Sequence, residues 1–216
     1  MNPQYLLVIG ALILVGWFAF GILYNLRRGE HVLKWMQEGL PRIGQRTTFR
    51  WLGTSVAELG IAQAKRPFRR LDILLVLAPR DVFWMVILAA LQGRRDTVIF
   101  RADLGSPPFV DLELADPKTW TGREALRQVR QRNWEEQAYH GLQLLAPRGY
   151  LQLAVTTVDG LAGAMQKLSP RYMRLSLRKS TPNLEIHVPF PDPRSQDASA
   201  YFEALCDLAS ATAERH

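Results

Sequence analysis

Residues 5–24, YLLVIGALILVGWFAFGILY, contain no charged side chain. At about 1.5 Å per residue, a helix of that length covers the roughly 30 Å of hydrocarbon in a bilayer. Whatever follows must therefore fold as a membrane-tethered segment. A cleaved signal peptide would have a basic leader, a shorter apolar core and a small-x-small cleavage site. Here residues 1–4 have no basic side chain, the apolar run is full length, and Tyr5, Trp17 and Tyr24 are residue types enriched at membrane interfaces. These features favour an uncleaved anchor. The span has no polar side chains suited to transport, so it reads as a tether or docking helix.

Arg27, Arg28 and Lys34 follow the span, opposed only by an α-amino group before it. The positive-inside bias then predicts an outward N-terminus and a cytoplasmic C-terminal portion. Gly10, Gly16 and Gly21 permit close packing, so an intramembrane partner helix is admitted though no strict GxxxG calls for one. Residues 25–45 read as a juxtamembrane amphipathic segment, with a short helix from His31 to Ile43 weakened at its end by Gly39 and Pro41. Residues 46–216 are long enough for one domain with its own core.

Within that domain, residues 47–52 and 55–64 are predicted strands joined through Gly53. Residues 71–91 resemble a second span, but Asp72, Pro79, Arg80 and Asp81 divide it into a buried strand (71–78) and a core helix (80–92). A half-buried membrane hairpin is the alternative. Asp81 is expected in the first helical turn, facing the free amides. Alternation over 98–104 and 110–114 across Ser106-Pro107-Pro108 predicts a β-hairpin. Thr121 and Glu124 have capping-box spacing for a helix reaching about Arg132. Residues 151–156 read as a strand, and Asp159 as the cap of a helix that Ser169-Pro170 ends. Residues 173–177 and 184–188 read as paired strands, and 197–214 as the last helix. Strands and helices occur in runs, so the expected fold class is α+β, with antiparallel hairpins packed against helices.

Few residues advertise chemistry. His31, His140, His187 and His216 are scattered, with no metal-ligand spacing, and His187 is placed with Glu185 on an exposed strand face. Cys206 lies among apolar neighbours on the last helix and reads as a small hydrophobe. As the sole cysteine it excludes an intramolecular disulfide framework and suits a reducing compartment. Asp192 with Asp197, and Asp111 with Glu113, are carboxylate pairs by sequence alone and are assigned to the surface. No glycine loop for phosphate, GxSxG or HExxH is present. The sequence therefore names no catalytic residue, no metal and no cofactor. What remains is basic: 27 Lys and Arg against 20 Asp and Glu give +7. Candidate contacts to an anionic surface are Arg27, Arg28, Arg66, Arg69, Arg70, Arg94 and Arg95, with Arg123, Arg127 and Arg130 on the helix after Thr121. Ordinary solvation of those side chains is the competing reading.

The series over residues 74–104, namely strand, Arg80-Asp81, apolar helix, Arg94-Arg95 turn and alternating strand, resembles the core of the calumin family. These are the endoplasmic-reticulum coiled-coil-domain proteins of the multipass translocon. Gly149-Tyr150-Leu151-Gln152-Leu153-Ala154-Val155, the helix from Asp159, the strand 172–178 and Leu184-Glu185-Ile186-His187-Val188-Pro189 before a last helix resemble its second half. Arg80 and Asp81 match the family's helix-opening Arg and Asp. The resemblance implies a non-enzymatic cytosolic domain, anchored in the membrane, that helps multispanning proteins enter the bilayer beside a small intramembrane chaperone and the translocon. The chain departs from that pattern in lacking an acidic lumenal region before the anchor. It also stops at Arg215-His216, where the family continues into a basic coiled coil that touches the ribosome. Ribosome contact is thus not carried over.

Three readings follow: a membrane-anchored adaptor or chaperone-like protein in membrane-protein biogenesis, an anchored enzyme on a lipid or membrane-associated substrate, and a basic lipid-surface or RNA-binding domain. Partners common to them are the bilayer and, for the first, a translocase or insertase component. Oligomeric state is left open.

Overall fold

The structure, a computed structural model, describes residues 3–212. Helix α1 runs unbroken over Pro3–Ile43, 41 residues and about 60 Å at the usual rise. The predicted break between span and juxtamembrane helix is absent. One buried stripe explains the continuity: Gly21, Asn25, Gly29, Val32, Met36, Gly39 and Ile43 recur at three- and four-residue intervals. Pro41, one turn from the end, does not interrupt it, and its carbonyl accepts from the Lys65 ammonium at 2.7 Å.

Nine strands form one sheet in which every pairing is antiparallel. They are β1 (Gly44–Trp51), β2 (Val56–Ala64), β3 (Phe68–Val76), β4 (Thr97–Leu104), β5 (Leu112–Ala115), β6 (Glu135–Tyr139), β7 (Leu142–Ala146), β8 (Arg174–Leu177) and β9 (Leu184–Pro189). Their order is β1-β2-β3-β4-β9-β8-β5-β7-β6. The helices after α1 are α2 (Phe83–Leu91), α3 (Trp120–Arg130), α4 (Leu151–Leu168) and α5 (Ala198–Ala211). The α+β class is as expected, with one apolar helix near the N-terminus long enough to cross a membrane.

Alternation along the strands sends Ile73, Phe100, Ile186, Leu175, Leu114 and Leu144 to one face, where the C-terminal half of α1 packs with α4 and α5. Tyr201 of α5 meets Trp35 of α1, Phe100 of β4 and its neighbour Phe202 there, with ring centroids 5.2–6.0 Å apart. Close approach requires Gly39, since a Cβ there would lie 2.5 Å from the Ala198 carbonyl oxygen. On the other face α3 covers β5 and β8 through Ala125, Leu126 and Val129, against Ala115 and Leu145.

Several local expectations are corrected. Residues 98–104 and 110–114 are not a hairpin: β9 and β8 lie between β4 and β5 in the sheet. The α3 cap is Thr119, whose hydroxyl accepts from the Gly122 amide at 3.1 Å, whereas Glu124 binds Arg127 and Gln128 further along. Residues 151–156 are helix, not strand, because Ala154, Val158, Leu161, Met165 and Leu168 make one buried helical face. Asp159 lies within that helix and accepts from the Tyr139 hydroxyl at 2.6 Å, so it caps nothing. The hairpin β6–β7, turning at His140-Gly141, is an addition to the predicted elements. Asp197 caps α5 through the Ala200 amide at 2.7 Å. The predicted continuation of that helix to Glu214, and His216, lie outside the described residues.

Candidate membrane-facing site

Where α1 leaves its exposed apolar stretch it meets the β3–α2 and α2–β4 connections. Asn25, fully buried, donates its amide to the Ala78 carbonyl at 3.2 Å and accepts from Arg80 at 3.0 Å. Asp96 is nearly buried and gathers four donors: both terminal nitrogens of Arg80 at 3.0 Å, Arg28 Nε at 2.5 Å and the Ala78 amide at 2.9 Å. Burial pushes the Asp96 carboxyl up, but the Arg80 hydrogen bonds, the Ala78 amide and the two guanidiniums hold it below its usual range. Arg80 also lies over the Tyr24 ring at 5.0 Å. Thus α1 is fixed to the sheet by an ionised, hydrogen-bonded cluster that the sequence reading did not assemble. Asp81 precedes the helix, which starts at Phe83, and accepts from the Thr54 hydroxyl at 2.9 Å. It complements no first-turn amide.

Beside this cluster, a groove of about 770 Å³ runs between α1 and residues 190–194. Phe20, Leu23, Tyr24 and Phe190 supply apolar wall, and Arg27, Arg28, His31 and Arg194 supply cations, with Asp192 opposing them. Arg28 is shared with Asp96 and lies 5.8 Å from the Phe190 ring.

The other predicted basic residues are not gathered into one patch. Arg69 donates to the Gly105 carbonyl at 3.1 Å, Arg70 pairs with Asp72 at 2.9 Å, and Arg66 is exposed nearby. Arg94 stacks on Trp120 at 4.0 Å, next to exposed Arg95. Arg123 reaches the Gln92 and Lys118 carbonyls, which brings it to the same junction as Arg94. Arg127 and Arg130 pair with Glu124 and Glu136. The α3 basic face is therefore largely paired within the fold.

The predicted core helix is also corrected. α2 is apolar throughout, yet Ala89 is its one buried residue, and Trp84 and Leu91 are 67% and 81% exposed.

A second polar cluster crosses the sheet face opposite α1, α4 and α5, which α3 covers in part. Register places Asp72, Arg101, Glu185, Ser176, Glu113, Leu145 and Glu136 side by side on successive strands. Glu113 is fully buried between Arg174, at 2.5 Å, and Arg178. Arg174 and Arg101 also hold Glu185, at 2.7 and 3.0 Å. His187 is buried rather than exposed, with Nε2 2.8 Å from Glu185. Burial pushes the Glu185 carboxyl up, but the His187 hydrogen bond and the Arg174 and Arg101 guanidiniums bring it down to about 2. Burial holds His187 below its ordinary value, against the pull of Glu185. The carboxylates and guanidiniums satisfy one another, while His187 Nδ1 is buried without a hydrogen-bond partner, and the cluster staples strands together.

A further cavity of about 940 Å³ includes His140, Ser169, Tyr172 and Tyr201. Its Ser169 and Tyr172 hydroxyls donate to the Arg171 and Met165 carbonyls, so no nucleophile meets a base there. Cys206 is half-buried and burial pushes its thiol up, away from the reactive thiolate. Among the described residues no group of His, Cys, Asp and Glu side chains is arranged to hold a metal ion. In comparisons with protein-family models and with curated proteins, nothing matches this chain.

Proposed function

We propose that this chain is a membrane-anchored adaptor or chaperone-like protein in membrane-protein biogenesis, with its α+β domain on the cytoplasmic face. The observation that carries this reading is the unbroken α1. An apolar segment able to cross a bilayer continues into the domain core and is clamped there through Asn25, Arg28, Arg80 and Asp96. A flexible leash would let the domain wander, whereas this joint fixes one surface against the membrane, as a protein that receives or guides membrane segments requires. The cytoplasmic side follows from Arg27, Arg28 and Lys34. The biogenesis role follows from the calumin resemblance of residues 74–104.

Crosslinking in native membranes followed by affinity recovery tests it. The expected products are translocase or insertase components or nascent membrane proteins. Recovery of none of these contradicts the proposal. The groove between α1 and residues 190–194 favours a second reading, a domain that binds anionic lipid surfaces through Arg27 and Arg194. That reading expects vesicle binding to weaken with salt, and salt-independent binding contradicts it.

A further inference from the structure

Helix α2 carries no charge between Phe83 and Leu91, and Phe83, Trp84, Ile87, Leu88 and Leu91 are 48–81% exposed. A helix on the wet surface of a domain shows one apolar stripe and one polar face, whereas a helix that is apolar all round belongs where its surroundings are apolar.

Its position along α1 supplies a depth. Arg80 lies over Tyr24, a Cβ at Gly21 would lie 2.6 Å from Asp81 Cα, and the Phe83 ring meets Trp17 edge-on at 5.3 Å. From Arg80 to Phe83 the chain therefore descends α1 from Tyr24 to Trp17, seven residues or about 10 Å at helical rise. Tyr24 ends the charge-free stretch and Arg27 follows, which sets the headgroup boundary at this turn. Phe83 lies on the hydrocarbon side of that boundary. The chain comes back at Arg94, whose guanidinium rests on Trp120.

The C-terminal end of α2 has its carbonyls paired within the protein. The Leu88, Ala89 and Ala90 carbonyls accept from the Gln92, Arg94 and Gly93 amides at 2.9–3.0 Å, and the Gln92 carbonyl accepts from Arg123 at 2.8 Å. Carbonyls facing lipid must be paired in this way, because no solvent is there to pair them, whereas the first turn of α2, beside Trp17, carries no side-chain cap. Nine residues span about 14 Å, too short to cross a bilayer.

We infer that α2 is a second membrane element, a short helix embedded among the acyl chains of the leaflet from which α1 emerges. The apolar surface of the α1 span continues onto it through the Trp17–Phe83 contact, which identifies lipid as its occupant. The domain is then held at two points, so that the β3–β4 end of the sheet cannot swivel about α1. The inference rests on reading α1 as a span.

The test uses the full chain with Cys206→Ser and single cysteines at Leu14, Leu88 or Ser106. Each is labelled with a polarity-sensitive fluorophore and reconstituted in phosphatidylcholine–phosphatidylglycerol vesicles. Leu91 is a second labelling site on α2, and circular dichroism matching the parent chain confirms folding. Expected are blue-shifted emission and loss of fluorescence to acyl-chain spin-labelled lipid at Leu14, Leu88 and Leu91, with loss to aqueous iodide at Ser106. Lipid quenching at Leu14 with iodide quenching at Leu88 and Leu91 overturns the α2 assignment and leaves the anchor standing. Iodide quenching at all sites overturns both. Shielding of Leu88 and Leu91 from both quenchers points to a protein partner or second copy and overturns the lipid assignment.

Discussion

Replacing Asp96 by Asn tests whether the ionised cluster joins α1 to the sheet. The Asp96 side chain is 5% exposed and takes three bonds from guanidiniums and one from the Ala78 amide. An Asn of the same size keeps one acceptor oxygen but turns an NH2 toward Arg28 or Arg80, so at least one charge-assisted bond is lost and a donor faces a donor. Each such bond is worth about 1.5–3 kcal/mol, and stranding a buried charge about 3–5 kcal/mol. Arg80 and Arg28 are 28% and 44% exposed, so water recovers part of the loss. The expected destabilisation is about 2–4 kcal/mol after that discount. It is read as a shift in the urea midpoint of tryptophan fluorescence for the full chain in detergent. Arg80→Met combined with Asp96→Asn removes both sides of the mismatch, so the double variant should lose less than the two single losses added, by about 1–2 kcal/mol. A loss below about 1 kcal/mol for D96N, or strict additivity in the cycle, refutes the clamp.

Gly39→Val is expected to destabilise by about 1–3 kcal/mol through overpacking, because Ala198 backbone and the Phe202 ring occupy the space a side chain needs. Thermal unfolding measures this, and Gly10→Val, where nothing lies within 4 Å, is the neutral control. Acid should destabilise the domain. Glu185 and Asp96 are held below their ordinary values in the fold, so as pH falls the unfolded chain takes up their protons first. Their stabilisation is present above the ordinary carboxylate range and lost on acidification, for Glu185 between 4.5 and about 2. That shift corresponds to about 3 kcal/mol. His187 acts in the same direction below 6.5, since the unfolded chain protonates it before the fold does. Urea midpoints across pH 7 to 3 report the slope, and Glu185→Gln should flatten its most acidic part.

The elements most legible in the sequence were those whose period was long or whose partner was local. The β1–β2 and β8–β9 hairpins follow from alternation and short connections. The α1 stripe was also written there, but Gly39 and Pro41 read as weakness when the small residue is what admits α5. Residues 151–155 satisfy a period of two for only one short stretch, and the helical spacing through Leu168 overrides it. The hairpin assigned across Ser106-Pro107-Pro108 failed because β5 is buried on both faces and takes β8 and β7 as neighbours, contacts that no local pattern encodes. For the same reason Glu113 resembled a solvent-facing carboxylate while lying among Arg174 and Arg178, about 60 residues further along the chain. The candidate site was half legible. Arg27 and Arg28 stood out after the apolar stretch, but Asp96, 68 residues from Arg28, reaches Arg28 only through the β3–β4 pairing.

The proposed role requires the domain to lie on the side of the membrane to which Arg27, Arg28 and Lys34 point. A cysteine at Ser106, an exposed residue after β4 and distant from α1 in sequence, measures this in a Cys206→Ser chain. In intact cells an impermeant thiol reagent should leave that cysteine unlabelled until the membrane is opened. Ready labelling before permeabilisation contradicts the cytoplasmic assignment and, with it, the proposed role.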